Sequence, residues 1–191
     1  MNMPVDTLAD PIAAHAKEML AHLGEDPRRA GLRDTPQRFA NALRFLTGGY
    51  EAEPRDVVGN GVFDAEGEGV VLVRDIEFHS LCEHHLLPFF GRVHVGYLPG
   101  ERIIGLSKIP RIVELFARRF QVQERLTAQV ADALVEVLEP QGVIVIAEAQ
   151  HMCMAMRGVQ KQQSATTTRA LRGIYAHDPL ARQEVISLLK T

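Results

Sequence analysis

Each of the two cysteines in this chain, Cys82 and Cys153, lies beside histidine, and no other feature of the sequence constrains the fold as much. The first stands in Ser80-Leu81-Cys82-Glu83-His84-His85, the second in His151-Met152-Cys153-Met154. Cys82 and His85 are close enough in a turn to hold one ion between them. Cys153 can close the set only if a distant strand is brought alongside. Two thiolates and an imidazole suit zinc, and three protein ligands leave a tetrahedral ion one open position, as in catalytic rather than structural zinc sites. On spacing alone, His84 and His151 compete for the same role.

A chain of 191 residues fits one domain with room for an appended segment. Its formal net charge of −3 gives no global reason to expect nucleic acid or an anionic membrane as partner, so any anion site must be a local convergence of basic residues. The stretch from Met1 to Asp10 has neither the basic nor the apolar region of a secretory signal, and no apolar run approaches the ~20 residues of a membrane helix. A cytoplasmic protein is expected, and in that compartment a Cys82–Cys153 disulfide is disfavoured against metal binding.

The hydrophobic periodicity divides the chain. Ile12, Ala16, Met19, Leu20 and Leu23 recur at helical spacing over residues 8–23, which end at Gly24. A second helix is expected from Asp34 or Thr35, with Pro36 early in it and Phe39, Leu43 and Leu46 on one face, stopping at Gly48-Gly49. Residues 51–69, rich in glycine and acidic side chains, read as a linker or long loop. Residues 1–60 are therefore expected to form an N-terminal helical arm and linker, and residues 61–191 the catalytic domain.

Strands are expected at Val70–Phe78 and Gly91–Leu98, where Val93, Val95 and Tyr97 alternate with Arg92, His94 and Gly96. The Cys-Glu-His-His run between them falls on a loop at a sheet end. Two helices follow. Ser107 can cap the first, with a stripe of Ile109, Ile112, Val113, Phe116 and Phe120; the second carries Leu126, Val130, Leu134 and Val137. Further extended pieces are expected at Val143–Ala149, Met152–Gly158 and Thr167–Ala176, and Asp178-Pro179 opens a terminal helix. The alternating Met152, Met154 and Met156 read as core. The order points to an α+β fold, an antiparallel sheet with helices on one face.

Charged residues lie in apolar company around the metal candidate. Ser107 and Lys108 stand at a helix start, where free N–H groups and the helix dipole favour anions. Arg111 is one turn on, and Arg157 follows Cys153 by four residues. Together they suggest a phosphate chain, although each alone is an ordinary solvated charge. Glu124, in the first turn of the next helix, is either a dipole partner or a reader of a purine edge, since a carboxylate can accept two parallel N–H bonds from guanine. His79 and His94 read as ordinary surface or core histidines.

Four strings resemble the signatures of the GTP cyclohydrolase I family: Cys82-Glu83-His84-His85; Gly105-Leu106-Ser107-Lys108-Ile109; Gln121-Val122-Gln123-Glu124-Arg125-Leu126-Thr127; and His151-Met152-Cys153-Met154 through Met156-Arg157-Gly158-Val159. They run in order from about Asp75 to Tyr175, with a weaker match at Thr35-Pro36-Gln37-Arg38. The resemblance implies the tunnelling fold (T-fold), with two helices packed on one face of the sheet, and a toroidal homodecamer with active sites at subunit interfaces. It implies conversion of GTP and water to 7,8-dihydroneopterin triphosphate and formate, the entry to folate or biopterin. Carried over by motif, Cys82, His85 and Cys153 hold zinc, while His84 and His151 are catalytic neighbours, His151 as proton donor to the purine. Gln123 and Glu124 grip the guanine, and Ser107, Lys108, Arg111, Arg157 and Arg38 hold the triphosphate.

The chemistry of the residues agrees with that implication. Opening the imidazole ring of a purine needs water delivered to C8, which zinc can activate near neutral pH, and protonation of ring nitrogens, which suits histidine. Two rival readings exist. A non-catalytic zinc-stabilised binding module requires a fourth protein ligand, His84 or His151. A sister T-fold enzyme reducing a nitrile on a deazaguanine requires a metal-free cysteine nucleophile.

Overall fold

The computed structural model describes residues 10–67 and 69–189. The chain divides into two compact units, one ending at Thr47 and the other beginning at Gly48. In the first, α1 (Pro11–His22) and α2 (Thr35–Thr47) pair. Asp10 caps α1 by accepting from the Ile12 N–H at 3.0 Å, and Arg44 of α2 reaches the same carboxylate at 2.7 Å. That contact pulls the Asp10 carboxyl below its usual range. Arg38 lies in this unit, exposed and paired with Asp34 at 3.1 Å.

The second unit opens with a 3-10 turn (Gly48–Glu51), α3 (Pro54–Val58) and β1 (Val62–Asp64). The expected linker over residues 51–69 is therefore structured in part. Its short elements were hidden because α3 spans little more than a turn and β1 is only three residues long, too little for a period to show. The main strands are β2 (Val71–Cys82) and β3 (Pro88–Leu98), then β4 (Arg102–Ile104), α4 (Lys108–Ala117), β5 (Phe120–Gln121), α5 (Gln123–Leu138) and β6 (Gly142–His151). A helical turn α6 (Met152–Ala155), β7 (Thr166–Gly173), a second turn α7 (Ile174–His177) and α8 (Pro179–Leu189) complete it.

The five-stranded sheet has the order β5-β2-β3-β6-β7, antiparallel except where the two residues of β5 run parallel to the end of β2. β1 and β4 form a separate antiparallel pair. This is the expected α+β class, and α4 and α5 pack on one sheet face. Val93, Val95 and Tyr97 turn to that face and are closed off, as are Ile109, Ile112 and Val113 of α4 and Leu126, Val130 and Leu134 of α5. Each aliphatic side chain so buried contributes about 1.5–3 kcal/mol before conformational entropy is subtracted. The C-terminal helix covers part of the opposite face, where Val185 packs with Ile144 and Tyr175.

Three local expectations are corrected. Phe120 belongs to β5 rather than to the stripe of α4, which has already ended at Ala117. Met152–Ala155 is helical, not extended, and Met154 and Met156 are exposed rather than core. Alternation in sequence mimicked a strand where one helical turn changes the chain's direction. Finally, Ser107 occupies the N-cap position of α4 but makes no side-chain capping bond.

A bulge at Asp75 interrupts the β2–β3 register between Val73 and Ile76. The extra residue leaves its N–H outside the ladder, and the Nδ1 of His94 accepts it at 3.1 Å. His79 stacks on Phe90. Both histidines thus have structural partners, in line with their ordinary reading.

Candidate metal and purine site

The end of β2, the end of β6 and the start of α5 converge, and this convergence assembles the site. Cys82 is the last residue of β2, and its N–H and carbonyl close the following turn through Leu87 and Leu86. That turn carries Glu83, His84 and His85. Cys153 arrives on α6, immediately after β6 ends at His151. The ligand atoms of Cys82, His85 and Cys153 lie within 4.8 Å of one another. Cys82 is buried, Cys153 half-buried and His85 exposed, so the group opens outward on the histidine side.

The donor set fits a zinc-type ion. Burial, and then the neighbouring Cys82 thiol, push the Cys153 thiol's pKa up. A thiol held neutral in this way becomes a ligand when a cation displaces its proton. His84 stands outside the group, its Nδ1 3.7 Å from the Cys82 sulfur. His85 Nε2 meets the Arg157 guanidinium at 2.6 Å, which places that cation at the rim.

His151 is held on two sides. Its ring lies parallel to that of Phe89, with centroids 4.7 Å apart. Its Nε2 is 2.8 Å from Gln123 Oε1. Burial holds its pKa below the usual histidine value, opposed by the Glu124 carboxylate. Glu124 is exposed on the first turn of α5 and has no hydrogen-bond or ion-pair partner among the described residues.

A sequence model described as GTP cyclohydrolase I matches residues 12–190. The chain belongs to the GTP cyclohydrolase I family. GTP cyclohydrolase 1 of Deinococcus radiodurans is 59% identical over 174 residues, covering 91% of this chain and 81% of the relative. That of Leptospira biflexa is 54% identical over 175 residues, covering 92% and 96%. Among solved structures, the archaeosine synthase QueF-like in the apo form aligns over 56% of this chain and 97% of its own, at 15% identity and a TM-score of 0.46.

In this GTP cyclohydrolase I family member, Cys82, His84, His85, Gln123, Glu124, His151, Cys153 and Arg157 gather at one end of the sheet. Ser107 and Lys108 do not join them. Helix α4 runs into β5, which pairs with Leu81 and Cys82, so its C-terminal end faces the site. Its N-terminus is about 14 Å further along the axis at 1.5 Å per residue. There the Lys108 Nζ reaches the Val57 carbonyl at 3.5 Å. Arg111 projects from the same helix, exposed and without a partner among the described residues.

The amide of Gln123 is 1% exposed and engaged within the chain. Its two amide hydrogens go to backbone carbonyls, while its oxygen keeps a second lone pair beyond the His151 contact. Two contributors escaped the sequence reading. Phe89 is an unremarked apolar residue until its ring is seen under His151. Glu83 and Arg125 form a two-pronged ion pair, at 2.5 and 3.0 Å, that ties the turn carrying His84 and His85 to the first turn of α5. Opposite charges flanking two separate motifs were the available signal, but nothing in sequence says which charges meet. Among the described residues, no helix is long and apolar enough to cross a membrane.

Proposed function

We propose that this protein hydrolyses and rearranges GTP to 7,8-dihydroneopterin triphosphate and formate, using zinc held by Cys82, His85 and Cys153. The observation that carries the reading is the compact Cys-His-Cys group in a chain of this family, with a clamped histidine at its side. Zinc in a three-ligand site supplies Lewis acidity and activates water for hydrolysis near neutral pH.

The chain's own residues supply the rest. His151 moves protons to and from the purine's five-membered ring as it opens, with His84 as a second imidazole beside the Cys82 sulfur. Glu124, unpartnered on α5, accepts the parallel N–H groups of guanine N1 and N2. Arg157 at the rim, with Ser107, Lys108, Arg111 and Arg38, neutralises the triphosphate. Its cations meet the substrate's charge locally, which an overall charge of −3 permits.

The distance from Cys82 to the N-terminus of α4 supports active sites shared between subunits of a homo-oligomer, a decamer by family resemblance. In that assembly one chain contributes Ser107 and Lys108 to its neighbour's metal group. Residues 61–191 form the catalytic domain in this reading, with residues 1–60 as arm and linker.

Product analysis tests it. Zinc-loaded protein incubated with GTP releases formate and a fluorescent pterin after oxidation of the product. Full turnover by chelator-treated, metal-free protein, or release of formate without a pterin, overturns the proposal.

A further inference from the structure

The C-terminal helix turns one stripe toward the sheet, and that stripe carries a charge. Ala181, Glu184, Val185 and Leu188 of α8 fall at i, i+3, i+4 and i+7, the spacing of a single helix face. Val185 is buried and packs with Ile144 and Tyr175. Glu184 stands beside it, its carboxylate without an ion pair or hydrogen bond among the described residues. Between the stripe and the sheet lies a cavity of about 290 Å³, bordered on the sheet side by Val70, just before β2, and Leu98, the last residue of β3. It sits at the opposite end of β2 from Cys82, roughly 35 Å along the strand.

Tyr175 supplies a second, independent observation. It is 3% exposed, and its ring lies against the backbone at Gly142, where a Cβ would come within 3.0 Å of the ring's Cδ2. A buried tyrosine ordinarily gives its hydroxyl a partner. This hydroxyl has none among the described residues. It is not sealed either, because the one enclosed side-chain nitrogen or oxygen without a partner among them is Gln121 Oε1. The open space that Tyr175 borders is the cavity under α8. Burial, and after it the nearby Glu184 carboxylate, raise the pKa of this hydroxyl.

The lining selects its ligand by charge. Among the described residues no lysine or arginine borders the cavity. Arg182, the nearest cation in sequence, donates from Nη1 to the Tyr175 and Ala176 carbonyls at 3.0 and 3.3 Å. A bound anion would face Glu184 with no compensating charge, whereas an ammonium is a donor only and suits both a carboxylate and a phenol oxygen. The other walls are aliphatic. At the ~30 Å³ that a water molecule takes in the liquid, the cavity holds about ten non-hydrogen atoms. We propose that this cavity binds a small primary amine with a compact apolar body, its ammonium held between the Glu184 carboxylate and the Tyr175 hydroxyl and its body against Val70, Leu98, Val185 and Leu188.

Methyl-resolved NMR of the full-length, zinc-loaded protein titrated with 3-methylbutylamine tests this without reference to turnover. Saturable shifts are expected at the methyls of Val70, Leu98, Val185 and Leu188. The alcohol of the same shape, 3-methylbutan-1-ol, is expected to bind at least about tenfold more weakly, because it brings no charge to Glu184. Leucine, which adds a carboxylate to the same amine, is expected to bind more weakly too. Glu184→Gln should lower affinity for the amine about tenfold and leave that for the alcohol unchanged, Tyr175→Phe should lower it several-fold, and Ala181→Leu should fill the cavity and abolish the shifts. Absence of saturable shifts at these methyls, equal binding of amine and alcohol, or leucine binding as tightly as the amine overturns the proposal in the wild-type protein, whether or not any variant folds. Shifts that persist in Ala181→Leu, or an amine affinity unmoved in Glu184→Gln, would overturn it as well.

Discussion

Phe89 and His151 are register partners across the β3–β6 ladder, and their rings lie face to face with centroids 4.7 Å apart. The pair shows how the sheet builds the site: cross-strand neighbours on one face are close enough to stack, so an apolar residue at the start of one strand becomes the floor under a functional residue at the end of another. Phe89 is itself completely buried. Phe89→Leu keeps an apolar side chain but removes the flat platform. We expect a stability loss of about 1–1.5 kcal/mol, seen as a lower denaturation midpoint. Turnover should fall more than that loss explains, with KM for GTP nearly unchanged.

The metal group makes a separate claim. Purified protein is expected to hold about one zinc per chain, measured by atomic absorption, and Cys153→Ala to lose it together with activity. An open site with three ligands contributes less to folding than a closed structural one, so that variant should still unfold cooperatively. Retention of stoichiometric zinc by Cys153→Ala would remove Cys153 from the ligand set.

Glu83 and Arg125 bear on the same turn. The Arg125 guanidinium holds the Glu83 carboxyl below its usual range, and the bidentate geometry fixes an orientation as well as a distance. Both side chains are partly solvated, so little global stability is expected from them. Breaking the pair with Arg125→Gln should lower turnover several-fold without moving the melting temperature. The reversed pair, Glu83→Arg with Arg125→Glu, should recover part of it. Equal activity in single and double variants would show that the pair does not position the turn.

Glu124 is expected to decide between guanine and adenine. Guanine presents donors at N1 and N2, whereas adenine has an acceptor at N1 and nothing to donate at C2, which leaves the carboxylate facing a lone pair. Sites that hydrogen-bond a substrate group reject analogues lacking it by roughly 10⁴–10⁵-fold. Glu124→Ala is expected to cut kcat/KM for GTP sharply, with zinc retained and the melting temperature little changed. Near-normal GTP kinetics would return Glu124 to a helix-start charge worth about 0.3–1 kcal/mol.

At alkaline pH the buried tyrosines set a limit. Burial raises the pKa of Tyr97, opposed by the Ile104 N–H that its hydroxyl accepts, and burial likewise raises that of Tyr175. With the folded pKa above the unfolded value near 10, the unfolded chain loses these protons first. The contribution is complete below about pH 10 and is lost as pH rises through the folded values. Stability measured by denaturant should therefore decline above that point, and Tyr175→Phe should make the decline shallower. An unchanged alkaline slope in that variant would refute the assignment.

Much of this protein is written in its residue types. The Cys-x-x-His pair and the distant cysteine mark a candidate metal group before any fold is known, because ligand chemistry belongs to the side chains themselves. The stripes of α4 and α5 and the alternation of Val93, Val95 and Tyr97 were legible because burial of one face imposes a period on the sequence. Elements too short to show a period, α3 and β1, were not. Nor was the helical turn at Met152–Ala155, whose spacing is shared by a strand. Other features belong to the tertiary structure alone. Whether His84 or His85 joins the two thiols depends on how one turn closes, and both have the same neighbours in sequence. That Gln123 meets Ala147, Thr166 and His151 through its amide is decided by the sheet, not by its neighbours in sequence. The distance between Lys108 and Cys82 follows from the direction of a helix. Sequence specifies which groups are present and what each can bind; strand register and helix direction decide which of them meet, because those contacts join residues far apart along the chain.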